Sequence, residues 1–106
     1  MVSRGDIWLV LPEAPAERTA AASAPCVVLS PPEIHDHLGI VTVAPIAPAV
    51  QPAGFHVPVA LGERAGAIRL EQIRTVEKRL LTRQIGTLER KKLAAALAAL
   101  REMFAD

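Results

Sequence analysis

Aromatic side chains are scarce in this chain: one tryptophan, two phenylalanines and no tyrosine among 106 residues. Trp8 falls in a strand-like apolar run and Phe104 on a helical apolar stripe, so both read as core, and Phe55 alone is left as a stacking platform for a planar group. A single cysteine, Cys26, excludes an internal disulfide and sits in an apolar run, which fits a small buried hydrophobe in a reducing compartment. Twelve basic and eleven acidic residues leave a net charge of +1, so no overall field recruits polyanions and any nucleic-acid binding depends on local clustering. No apolar run approaches the roughly 20 residues that span a bilayer, and Arg4 and Asp6 break any signal-like start. The expected setting is cytoplasmic, with no membrane partner. No glycine-rich phosphate loop and no Ser-His-Asp order is present. Residues 1–106 are expected to form one domain with one modest core.

Short apolar runs punctuated by proline and glycine fill the first three quarters of the chain. Asp6 to Leu11 reads as a strand, and Pro12 to Ala24, rich in Pro and Ala without a period, as a long loop. Cys26 to Ser30 reads as a buried strand ended by Pro31 and Pro32. Ile40 to Ala44 reads as another, ended by Pro45 and Pro48. A turn-rich segment from Ala47 to Gly54 leads into Phe55 to Val59, whose alternation suggests a strand with one wet face. Gly62 and Gly66 bracket a turn, after which Ala67 to Leu70 and Gln72 to Val76 read as closing strands. Alternation along them predicts Arg69 and Glu71 on one face.

From Thr87 to Phe104 the period changes to that of a helix. Leu93, Leu97, Leu100 and Phe104 recur at spacings of four, three and four, with Thr87 as a candidate N-cap. The alanines between them favour helix and leave a low-relief surface for packing on a sheet. Strands followed by one terminal helix give a small α+β barrel.

The titratable residues offer few local motifs. His35 and His37 lie two apart in the loop after Pro32, and His56 is distant, so no third ligand has metal-site spacing and no metal is expected. His35 and His37 read as solvated loop residues, and His56, beside Phe55, either as another or as a stacking or phosphate contact. Arg90, Lys91 and Lys92 open the terminal helix and read as a solvated face.

The segment Arg69, Leu70, Glu71, Gln72, Ile73, Arg74, Thr75, Val76, together with Arg4, Gly5, Asp6, Ile7, Trp8, resembles the MazF/PemK (Kid-type) toxin family. Pro25 to Ser30, Val41 to Ile46 and the Ala53, Gly54, Phe55 turn follow the family's blocks in order. The resemblance implies an SH3-like β-barrel of the MazF/Kid/CcdB type with a C-terminal amphipathic helix. It also implies a homodimer that cuts single-stranded RNA with no cofactor, and a cognate antitoxin whose acidic, disordered tail covers the RNA groove. The chemistry it implies is attack of a ribose 2′-hydroxyl on its own phosphate, which needs a base, positive charge on the phosphorane and an acid for the leaving oxygen.

In the Kid branch, positions corresponding to Arg69 and Glu71 are an arginine and an aspartate proposed as acid and base. An arginine's pKa lies above 12, so Arg69 is assigned to phosphate binding and charge stabilisation. The alternative for Arg69 and Glu71 is a same-face ion pair without a catalytic role. Arg18 falls near the position of an assisting histidine in the Kid branch, or is a solvated loop arginine. By the same resemblance Phe55, His56, Ala47, Ala53 and Arg74 are expected to contact substrate. Two departures stand out: Ala24 and Ala47 occupy positions where the family usually carries an arginine and a threonine. They leave a second reading open, a weak or silent member that binds antitoxin or RNA, and a more remote third, a gyrase binder of the CcdB kind.

Overall fold

The computed structural model describes residues 1–19, 22–48 and 55–106. In chain order the elements are β1 (Asp6–Val10), β2 (Ala24–Val28), a short α1 (Pro32–His35), β3 (Ile40–Pro48), β4 (His56–Leu61), β5 (Arg64–Arg69), β6 (Arg74–Glu77), β7 (Leu81–Thr87) and α2 (Arg90–Met103). The strands form one antiparallel sheet in the order β4-β5-β3-β2-β1-β7, with β6 also paired to β3. This is the expected α+β barrel with a terminal helix.

The curled sheet buries apolar side chains on both faces. One cluster gathers Ile7, Val27, Ala44, Ile46, Ile68 and Leu70 under α2, which contributes Leu93, Ala96, Leu100 and Met103. The other gathers Val10, Cys26, Val28, Val41, Val43 and Val76, with Trp8 half-buried against it. Alternation along β3 sorts its residues between the two: Ala44 and Ile46 to the first, Val41 and Val43 to the second. Gly5 joins β1 to both neighbours, donating to Val28 O at 2.8 Å and accepting from Leu88 N at 2.7 Å. Its φ of 92° and the 3.3 Å that a Cβ would keep from Leu93 explain why glycine stands there.

Several sequence expectations are corrected. β3 runs through Pro45 to Pro48, because its partners change at the proline: the β2 ladder ends at Pro45 on one flank and the β5 ladder begins at Ile46 on the other. Gly66 lies inside β5, where a Cβ would come within 3.1 Å of Ile46 and 3.2 Å of the Ala47 carbonyl, so it permits close strand approach instead of a turn. β7 was not foreseen. Thr87 closes that strand and does not cap α2, whose N-cap is Glu89 without a side-chain hydrogen bond.

Phe104 is 72% exposed, since the buried stripe of α2 follows Leu93, Ala96, Leu100 and Met103. His35 is not solvated: it is buried at the end of α1, with Nδ1 3.5 Å from Ser30 Oγ, which also accepts from Thr42 N. His37 is exposed as expected. Cys26 is fully buried, and burial pushes its thiol up to about 11 although the charge of Arg74 pulls it down. Among the described residues no helix is long and apolar enough to cross a membrane.

Candidate active site

Register places the candidate residues relative to one another. His56 pairs with Arg69 across β4 and β5, and Ala47 pairs with Ala67, two residues before Arg69. Directly paired residues share a face, as do alternate residues along a strand, so His56, Arg69 and Ala47 project from one side of the sheet. Arg74 pairs with Val43, and continuing the β5 ladder by one residue sets Arg69 opposite Pro45. The two arginines therefore lie on the same face, anchored about 7 Å apart along β3 at the usual rise per residue. Ala24 lies two residues beyond the last β2–β3 pair, Cys26 with Pro45, and pairs with Val10 of β1. Ala47, His56, Arg69 and Arg74 are spread along the chain, and the sheet gathers them into one stripe.

Glu71 reaches the site by a different route from the one expected. Between Arg69 and Arg74 a single β3 residue, Ala44, faces the four residues 70–73. The excess chain forms a 3₁₀ turn, Leu70–Gln72, closed by Ile73 N donating to Leu70 O at 3.3 Å. Leu70 anchors that turn: its side chain is fully buried and its N–H donates to Phe55 O at 3.3 Å. With Leu70 pinned inward, Glu71 is lifted out of the strand and swings to His56. The His56 Nε2 to Glu71 Oε2 distance is 2.6 Å, with the side chains 15% and 42% exposed. Strand alternation between Arg69 and Glu71 is thus replaced by a turn, and the carboxylate pairs with His56, so the same-face Arg69–Glu71 ion pair is not formed.

Arg69 is half-buried, and its Nε is buried without a hydrogen-bond partner among the described residues. A buried donor left unpaired costs about 1–3 kcal/mol. Its guanidinium fork suits a phosphate oxygen pair.

Arg74 lies at the rim of a second hollow with Val10, Pro12, Glu17 and Ala24. Arg18 is committed elsewhere: its Nε donates to Pro12 O at 3.0 Å and its Nη2 to Glu13 O at 2.7 Å, closing the first loop. The Arg79 hydrogen bond and charge hold the Glu77 carboxyl below its ordinary range, with a lesser contribution from the charge of Arg18. Phe55 is 37% exposed and borders a shallow hollow with Ala98, Ala99 and Glu102. Ala47 lines an apolar hollow of about 230 Å³ with Pro25, Ile46, Leu61 and Arg64. Ala53 lies outside the described residues. Among the described residues no three His, Cys, Asp or Glu side chains converge as metal ligands would.

The missed feature is the His56–Glu71 pair. Fifteen positions separate the two, and only the β4–β5 register followed by the turn brings them together.

A curled antiparallel sheet closed by one helix, with two arginines and a His–carboxylate pair along one stripe, defines a small α+β barrel. The profile of the PemK-like, MazF-like toxins of type II toxin-antitoxin systems matches residues 3–104, and the chain belongs to that family, whose members are known as endoribonucleases. Among solved structures, it is similar to the Mycobacterium tuberculosis toxin MazF-mt6, with TM-score 0.76 and 24% identity over 93% of this chain and 95% of that one. It is also similar to an endoribonuclease in complex with its cognate antitoxin from a mycobacterial species, with TM-score 0.79 and 14% identity over 96% and 93%. MazF of a MazE-MazF crystal from Deinococcus radiodurans gives TM-score 0.77 and 18% identity over 99% and 95%. These likenesses support the fold, an SH3-like barrel of the MazF type. A search of curated proteins finds no match.

Proposed function

We propose that this protein is a toxin that cuts single-stranded RNA without a metal, leaving 2′,3′-cyclic phosphate and 5′-hydroxyl ends. The observation that carries the reading is the buried Nε of Arg69, without a partner among the described residues and held beside the paired Glu71 carboxylate and His56. Arg69 binds the scissile phosphate and stabilises the charge that builds on the phosphorane, and Glu71 supplies the negative charge at the base end of the site. Arg74 holds a neighbouring phosphate, whereas Phe55, whose ring borders Ala98 and Ala99 of α2, takes no part at this face. Arg18 shapes the first loop and takes no part in proton transfer.

The protein acts in the cytoplasm as a homodimer. Its antitoxin lays an acidic, disordered tail across Arg69 and Arg74, charge against charge, and so blocks the RNA. The two toxin structures crystallised with an antitoxin provide the precedent for such a partner. Ala24 and Ala47 stand where the family usually carries a charge and a hydroxyl, so cleavage is weaker than in members with the arginine and threonine.

Incubation with single-stranded RNA in EDTA tests the reading: cyclic-phosphate and 5′-hydroxyl ends support it. RNA that is bound but uncut would instead make this chain a binding module.

A further inference from the structure

The contact between His56 and Glu71 says which group takes the proton. An ionised carboxylate only accepts hydrogen bonds, so at 2.6 Å from Glu71 Oε2 the His56 Nε2 carries the hydrogen. In a neutral imidazole that leaves Nδ1 as the lone-pair nitrogen, and among the described residues the ring's one hydrogen bond is through Nε2. A carboxylate that fixes one ring nitrogen as N–H leaves the other as a base of defined tautomer, the arrangement that triad enzymes use to orient their histidine. His56 is also the strand partner of Arg69, so the base and the phosphate-binding guanidinium spring from adjacent positions on one face. Glu71, already engaged through Oε2, sits on the far side of the ring from that nitrogen.

We infer that His56, oriented by Glu71, is the general base of the RNA-cleaving site, an inference that rests on the nuclease reading above. Nδ1 takes the proton of the ribose 2′-hydroxyl as its oxygen bonds to phosphorus. The P–O5′ bond then breaks with its electron pair going to the 5′ oxygen, which takes a proton from water. The imidazolium returns its proton to the hydroxide so formed, so protons balance over the cycle. Glu71 is then a positioning residue, and the charges facing His56 are Glu71 from the 3₁₀ turn and Arg69 from β5.

The test compares wild type, His56→Ala and Glu71→Gln on one single-stranded RNA in EDTA, with and without added imidazole. Removing a general base costs about 10²–10⁴-fold in rate. The inference expects that loss in His56→Ala, partial restoration by free imidazole, and a loss in Glu71→Gln that imidazole does not restore. His56→Gln, which keeps the ring's approximate volume, serves if His56→Ala fails to fold. Wild-type cleavage with His56→Ala or His56→Gln equally active overturns the inference and leaves the nuclease reading standing. Wild type that binds RNA and leaves it whole overturns both.

Discussion

Ala24 and Ala47 lie on neighbouring strands, each two residues past the last β2–β3 pair, Cys26 with Pro45: Ala24 pairs with Val10 of β1 and Ala47 with Ala67 of β5. They border separate hollows, Ala24 the one rimmed by Arg74 and Ala47 the one beside Leu61 and Arg64.

Restoring the family's usual residues should raise activity. Ala24→Arg with Ala47→Thr is expected to raise RNA cleavage by about 10²–10³-fold, the scale of a charge-stabilising contact. Initial cleavage rates for the two single variants and the double variant measure this. No gain in the double variant would place the deficit elsewhere.

Arg69 should trade stability against activity. Arg69→Met removes a buried Nε that lacks a partner among the described residues, so the melting temperature should hold or rise, by up to about 1 kcal/mol in stability. Cleavage should fall by about 10²–10³-fold in the same variant. Calorimetry showing a loss of stability would instead mark Arg69 as a structural partner.

Leu70 is the anchor of the turn that delivers Glu71. Leu70→Ala should cost about 2–5 kcal/mol in denaturant unfolding, the range for a fully buried leucine. At temperatures where the variant stays folded, cleavage should fall too, because Glu71 loses its fixed approach to His56. A fully active, destabilised variant would show that the turn does not set the site.

Cys26 reports on burial. Its thiol is pushed up to about 11 by burial, so the folded protein keeps a proton that the unfolded chain releases near 9. With more protons bound to the folded state, stability is unaffected below pH 9 and falls as pH rises from 9 toward 11. Thiol reagents at pH 8 should modify Cys26 only at the rate of unfolding. Rapid labelling of the native protein would contradict its burial.

Strong local patterns were legible: the apolar run of β1 appears where the sequence puts it, the strand expected over Cys26 to Ser30 lies two residues earlier, and the helix expected from Thr87 begins at Arg90. What the sequence hides are the consequences of pairing. β7 is exposed over Thr82 to Ile85, and it is held to β1 by backbone with two register shifts, so no apolar alternation announces it. The turn at Leu70–Gln72 arises because four residues must pass one residue of β3, an excess invisible along the chain. Phe104 misled because α2 ends at Met103: Phe104 is the C-cap, off the helical path, and the buried stripe follows Ala96, Leu100 and Met103. In the candidate site, Arg69 and Glu71 were picked out by resemblance, whereas the partner of Glu71 was not, since His56 depends on register fifteen residues away.

The central claim is that this face cuts RNA through Arg69 and the Glu71–His56 pair, and mapping the ends of a long single-stranded RNA treated in EDTA tests it most directly. Wild type should give discrete cuts with 5′-hydroxyl ends that disappear in Glu71→Gln. Intact RNA with wild type, or cuts that persist unchanged in Glu71→Gln, would contradict it.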